Sequence, residues 1–284
     1  MANQHGTGVL LVVISAFVFS SAGVFTKGVP TPAWDIIFWR GVSAVTFTLG
    51  YLTLRGKLMA EVRAFCGPAL SAALVFGAGS AAFIPAFKLS TVSNVALIYG
   101  AVSFVAPALA WLFLRERPSV RAACASTIAF AGVIMIVSGG IARGHLAGDL
   151  LALFMTVMMA AGLVIYRRFP QTTAALPAAV SALLLLPLAL WFGDPFAVPV
   201  TELPVLVAFG LVFAVASVTL SEGARRLPSA ETALLTTLEL PLAPVLALVV
   251  LNEMPPLPTV MGGGIIVLAV LWSQRRVQAA TKLP

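Results

Sequence analysis

The feature that most restricts this chain is its division into apolar runs of about 20 residues, which follow one another from end to end. Coiled as helices, such runs match the roughly 30 Å hydrocarbon layer of a bilayer. Helices satisfy their own backbone groups where no water is at hand. Barrel strands would alternate apolar and polar residues, and these runs do not. Composition agrees: 60% of the residues are hydrophobic and 10% charged, against about 25% charged in a soluble domain. Mean hydropathy is +1.05. The expected fold class is therefore all-α and integral to the membrane.

Ten transmembrane helices are expected, near 8–26, 34–54, 66–87, 91–114, 119–138, 148–167, 174–193, 203–224, 230–251 and 258–273. Charge and turn residues separate them, as at Arg55-Gly56-Lys57, Arg115-Glu116-Arg117-Pro118 and Gly193-Asp194-Pro195. Residues 1–8 hold no Lys or Arg, so the first run reads as a span and not as a cleaved signal.

The net charge of +7 does not point to nucleic acid, because the basic residues are spread over short loops. Of the 17 Lys and Arg, 13 follow even-numbered spans. Three (Lys27, Lys88 and Arg143) follow odd-numbered ones, and Arg40 falls inside span two. Cytoplasmic loops collect Lys and Arg. The even loops and both termini are thus expected to face the cytoplasm.

The chain also resembles itself at an offset of about 137 residues. Ala96, Leu97, Pro107, Ala110, Leu114, Glu116 and Pro118 recur as Ala233, Leu234, Pro244, Ala247, Leu251, Glu253 and Pro255. Two repeats follow, 1–142 and 143–284. Five spans is an odd number, so the second repeat should be inverted relative to the first. Inverted repeats are a transporter signature, since pseudo-equivalent halves give two near-equal states, open to opposite sides.

An Ala-rich helix with a proline, closed by Leu-x-Glu-x-Pro, stands at Pro107 to Pro118 and again at Pro244 to Pro255. It resembles the EamA-type repeat of the drug/metabolite transporter superfamily, over nearly the whole chain. Leu238-Glu239-Leu240-Pro241-Leu242-Ala243-Pro244 is similar to the YddG-type aromatic amino-acid exporters. The resemblance implies a central cavity lined by spans 1, 3, 4, 6, 8 and 9, with spans 2, 5, 7 and 10 peripheral.

Ionisable and polar groups at membrane depth are candidate site residues. Glu239 lies about 12–14 Å into span nine, near the midplane. Its carboxylate could pair with an ammonium or carry a proton, or be tied to a neighbouring group. Pro241 and Pro244 deprive the carbonyls of Thr237 and Leu240 of their usual donors, so the helix can bend there. Pro85 and Pro107 are the corresponding candidates in the first repeat. Asn94, Tyr99 and Ser103 in span four, Thr232 and Thr236 in span nine, and Ser80 and Phe83 in span three complete the candidate cavity. Packing hydrogen bonds between helices are the competing explanation for the hydroxyls. Glu222, Arg225 and Glu231 form a candidate gate or a solvated loop cluster. Arg40 is expected to snorkel outward or to pair with Asp35, with contact to the solute as the further alternative. Ser15, Ser20, Ser21 and Gly23 read as a close-packing stripe, and the five Trp residues as interfacial anchors.

No cofactor or metal is expected, because there is no phosphate-binding Gly-Lys-Ser/Thr loop and no Cys/His cluster. Cys66 and Cys124 read as small apolar fillers. The chain is read as a transporter or facilitator, not an enzyme. It would export aromatic or other apolar amino acids, or related small metabolites, by alternating access. Cationic drugs or nucleosides are the alternative solutes. An intramembrane enzyme or a non-transporting assembly partner is the alternative class. The expected partners are the solute and the lipid bilayer, with a homodimer left open by the Gly140/Gly144 spacing.

Overall fold

The computed structural model describes residues 2–115, 120–173, 175–224, 226–227, 232 and 235–280. The described residues form helices joined by short turns, with no strand among them. The first span is α1 (Ala2–Ser20) and α2 (Ala22–Lys27), interrupted at Ser21. Next come α3 (Ala33–Leu54), a short α4 (Leu58–Ala64) and α5 (Gly67–Leu89). The fourth span is again broken, into α6 (Val92–Gly100) and α7 (Val102–Leu114). Then follow α8 (Val120–Ile141), α9 (Leu146–Arg168), α10 (Ala175–Phe192), α11 (Leu203–Ala224), α12 (Glu239–Leu251) and α13 (Leu257–Ala280).

Among the described residues, eight stretches are long and apolar enough to cross a bilayer, and two shorter apolar helices, Glu239–Leu251 and Leu257–Trp272, follow them. Their outer faces are apolar. Val249 is 72% exposed, Ile134 68% and Leu268 67%. A surface of that kind suits lipid and would be a liability in water.

Local chemistry sets the boundaries. Pro68 opens α5, where its missing N–H is one of the groups a helix start leaves unpaired. The Thr91 hydroxyl caps α6 by accepting from the Asn94 N–H. Pro85 and Pro107 lie inside α5 and α7 without ending them. The stretch expected as span nine is interrupted at Thr237 and Leu238. There the Leu240 N–H is donated to the Thr237 carbonyl, the acceptor that Pro241 would otherwise leave alone. Pro241 falls in the first turn of α12, so the bend comes before it.

The sequence offset of 137 is visible in the backbone. α7 and α12 are each 13 residues long, start 137 positions apart, and follow a break at Ala101 and at Leu238. Both end in a left-handed residue, Arg115 (φ 56°) and Asn252 (φ 51°). The two segments run in opposite directions. Glu253, just past α12, accepts the Val92 N–H at the start of α6. Glu116 and Pro118 of the matching motif lie outside the described residues.

Two apolar clusters hold the bundle. One surrounds α6 with side chains of α5, α8, α9, α12 and α13. The other joins α2, α3, α10 and α11. Phe83 on α5 packs against both. Glycines let α8 approach α13, with Gly132 and Gly262 back to back. Gly140 is filled from within, its open side facing the Asp149 carboxylate, while Gly144 has nothing within 4 Å of it.

Candidate functional site

Glu239 is the first residue of α12, set directly after the break in span nine. It is half-buried, and nothing among the described residues hydrogen-bonds its carboxylate. Its backbone carbonyl accepts from Ser20 at 3.4 Å, beside the break between α1 and α2. Tyr99, one residue from the end of α6, is also half-buried. Its neighbour Gly100 lies against the Leu240 side chain, so the broken spans four and nine meet where both chains interrupt their helices. Thr232 and Thr236 are half-buried on the stretch leading to that break. Ser103 is exposed on α7, four residues after Tyr99 and just past the interruption at Ala101.

Ser80 and Phe83 surround Arg40. This arginine is 6% exposed, about 10 Å along α3 from its start. Its Nη2 donates to the Ser80 hydroxyl at 2.5 Å. Its guanidinium carbon lies over the rings of Phe83, Phe209 and Phe213, 5.5, 5.6 and 5.3 Å from their centroids. Rings at that range attract a cation through their negative faces. The Nε–H is buried without a partner, and no carboxylate lies within ion-pair distance among the described residues. Arg40 therefore neither snorkels nor pairs with Asp35, whose Oδ1 is itself unpartnered. Span two, implied to be peripheral, places a cation in the interior.

Asn94 is not a free cavity residue. Its amide donates to both Asp149 oxygens, at 3.1 and 3.2 Å, and its carbonyl accepts from Thr259 at 2.5 Å. Ser90 donates to the same Asp149 carboxylate. Asn94, Asp149 and Thr259 are at most 1% exposed, so this polar knot ties α6, α9 and α13 together away from water. At the same end of the bundle Lys27 pairs with Glu253 at 2.8 Å. Lys88 donates to the Val29 carbonyl at 2.6 Å, and Thr31 donates to Glu202. Sequence reasoning did not single out Asp149, which stands at the boundary of an apolar run.

At the opposite end Glu222 pairs with Arg226 at 2.9 Å, one turn along the chain. The other two gate candidates, Arg225 and Glu231, lie outside the described residues. Arg115, Arg167 and Arg168 line a recess there with Phe113 and Leu114. The stripe on the first span is packing. Ser15 donates to the Ala216 carbonyl at 2.8 Å, and Gly23 lies against Val92 and Phe87. Trp39 donates to the Pro195 carbonyl, and Trp34 stacks on Phe192. Cys66 and Cys124 are free and exposed. No cluster of three metal-ligating side chains occurs among the described residues.

Three comparisons bear on this arrangement. The model of the EamA-like transporter family matches residues 6–138 and again 146–274. A "Probable biotin transporter" of Pseudomonas aeruginosa is 30% identical over 277 residues, 93% of this chain and 95% of that protein. Mouse "Solute carrier family 35 member G1" is 28% identical over 185 residues, 59% of this chain and 49% of that protein. A solved crystal structure superposes with a TM-score of 0.69 at 16% identity, covering 95% of this chain and 97% of that one. That last likeness speaks for the fold.

Proposed function

We propose, from the premise that this chain belongs to the EamA-like transporter family and is a membrane transporter, that it exports amino acids or related small metabolites by alternating access. In this reading the ten apolar helices are ten spans, in two inverted repeats divided near residue 142. The Arg-rich end that holds both termini faces the cytoplasm of a bacterial inner membrane. The Lys27–Glu253 end faces outward. Solute binds between the repeats, where the broken first, fourth and ninth spans converge.

One observation carries this proposal. Glu239 stands half-buried at the start of a helix, directly after an interruption, with no hydrogen bond to its carboxylate among the described residues. A carboxylate at such depth is costly unless a cation, a proton or water meets it. Interrupted helices facing each other across a repeat interface are the usual setting for a transported solute. In this reading Glu239 takes the ammonium of an amino acid, Tyr99 and Phe83 contact its apolar body, and Thr232 and Thr236 add hydroxyls. The aromatic lining and the similarity of residues 238–244 to the YddG-type exporters support aromatic or apolar side chains. The name of the Pseudomonas relative supports biotin as a second solute to test.

The test is flux into proteoliposomes of purified protein, using labelled phenylalanine, leucine and biotin, with and without a pH gradient. Specific uptake of an amino acid is expected, with Glu239→Gln reducing it about tenfold or more, the loss of one charge-assisted contact. Biotin uptake untouched by Glu239→Gln would move the solute away from amines. Absence of flux for all three would overturn the amino-acid reading.

A further inference from the structure

Arg40 is a cation in the described interior that has a built surrounding and no counter-charge among the described residues. Its setting specifies what it can bind. A guanidinium offers five N–H donors in a rigid planar fork. Here one of them is given to Ser80, and Nε–H is buried and unused. Leaving such a donor unpaired costs free energy, more so for a charged group. The three phenylalanines compensate part of the charge through their faces but accept none of the N–H bonds.

The origin of the surrounding groups matters. Ser80 and Phe83 stand on α5, in the first family match. Phe209 and Phe213 stand on α11, in the second. Gly210 brings α11 against α3 at this level, its open side facing Ser43 and the Arg40 carbonyl. The cage is thus closed by the meeting of two repeats, and a motion that parts them opens it. It also adjoins the proposed solute site. Phe213 packs edge-on against Phe19, with centroids 5.3 Å apart, and the next residue, Ser20, donates to the Glu239 carbonyl.

We propose that Arg40 is an anion subsite, taking the carboxylate of a solute with an apolar body. This rests on the reading of the chain as a solute transporter, and it extends that reading from the Glu239 side to the opposite pole of the solute. The unused Nε–H and a terminal N–H would donate side by side to the two carboxylate oxygens. Ser80 holds the plane of the fork, and Phe83, Phe209 and Phe213 flank the apolar part of the solute. Two poles, one acidic and one basic, linked through Ser20 and Phe19 at the end of α1, fit a zwitterion. The basic pole alone fits a monocarboxylate.

The measurement is thermal stabilisation of the purified wild-type protein in detergent by matched pairs: phenylalanine and phenylalaninamide, biotin and biotinamide, hexanoate and hexanamide. It is run beside the flux assay. The acid of at least one pair is expected to bind about tenfold or more tighter than its amide, as a charged hydrogen-bonded pair would give. Arg40→Gln should abolish that preference while leaving amide binding unchanged. Arg40→Lys should keep a weakened preference, since it retains the charge without the fork. Ser80→Ala, which leaves the charge in place, should reduce the preference several-fold and serves if Arg40→Gln does not fold. Equal binding of acid and amide by the wild type would overturn the subsite, even if flux is robust. Equal loss of acid and amide in Arg40→Gln would also overturn it and make Arg40 a packing residue. Acid-selective binding without any flux would uphold the subsite and sink the transporter reading. Neither binding nor flux would overturn both.

Discussion

At the scale of single residues, the chain separates polar groups that hold the bundle from polar groups left open. Asn94 and Asp149 are the first kind. Every polar atom of the Asn94 side chain is used, and Asp149 is met by Ser90 and Asn94 at once. Gly140 completes this knot, because its missing side chain leaves the room that the Asp149 carboxylate occupies. A methyl there has two opposed effects. Alanine gains about 1 kcal/mol over glycine in a helix interior. Overpacking against a carboxylate already fixed by Ser90 and Asn94 costs about 1–3 kcal/mol, together with damage to buried hydrogen bonds. The second effect should win. Gly140→Ala is expected to lower the thermal midpoint of the purified protein by several degrees. Gly264→Ala, with nothing within 4 Å of the new carbon, should leave it unchanged or raise it slightly. Equal midpoints for the two variants would contradict the packing at Gly140.

At the scale of helices, the informative elements are the interrupted ones, and they show how far the sequence could be read. The offset of 137 was legible from identities such as Pro107/Pro244, and the paired 13-residue helices and left-handed caps follow it. The breaks themselves were only half legible. Pro241 signalled trouble near Thr237, but nothing at Ala101 marks an interruption, since Ala and Gly are common in close-packed membrane helices. The same limit hid Arg40 and Asp149. A sequence shows that a charge sits in or beside an apolar run, not whether rings or hydroxyls from distant helices surround it. At the meeting point of the breaks, Gly100 faces the end of the Leu240 side chain so closely that a methyl there would require Leu240 to shift. Gly100→Ala should therefore destabilise by about 1–3 kcal/mol, and Leu240→Ala by about 2–5 kcal/mol. In the double variant the new methyl fills part of the space that Leu240 vacates. The double variant should thus be more stable than the sum of the two single changes predicts, by about 0.5–3 kcal/mol. Additive midpoints in thermal unfolding would place α6 and α12 farther apart than described.

At the scale of the whole molecule, one group of the described cross-links lies at the Lys27 end, while Glu61 accepting the Leu176 N–H and Ser15 donating to the Ala216 carbonyl join the two family matches elsewhere. Lys27 with Glu253, Glu253 with the Val92 N–H, and Thr31 with Glu202 each join residues more than 150 positions apart, one from each family match. Away from these links α7 packs on α8 and α9 while α1 packs on α11. In the alternating-access reading this is a state closed at the Lys27 end, and its closure depends on few polar contacts. The Lys27–Glu253 side chains are 25% and 16% exposed, so the pair is shielded from full solvent screening without being deeply buried. If it contributes about 1–2 kcal/mol, removing it changes the ratio of closed to open molecules about 5- to 30-fold. Ser93, fully buried on α6, reports that opening. In a background with Cys66 and Cys124 replaced by alanine, a Ser93→Cys thiol should react slowly with a membrane-impermeant maleimide. Lys27→Met should raise that rate by the same factor. Glu253→Gln should raise it less, because its amide oxygen can still accept the Val92 N–H. The exchanged pair Lys27→Glu with Glu253→Lys should recover only part of the closure, since a lysine at 253 cannot accept that bond. If Lys27→Met leaves the rate unchanged, the ion pair is not what holds this end shut, and closure must come from the buried knot around Asp149.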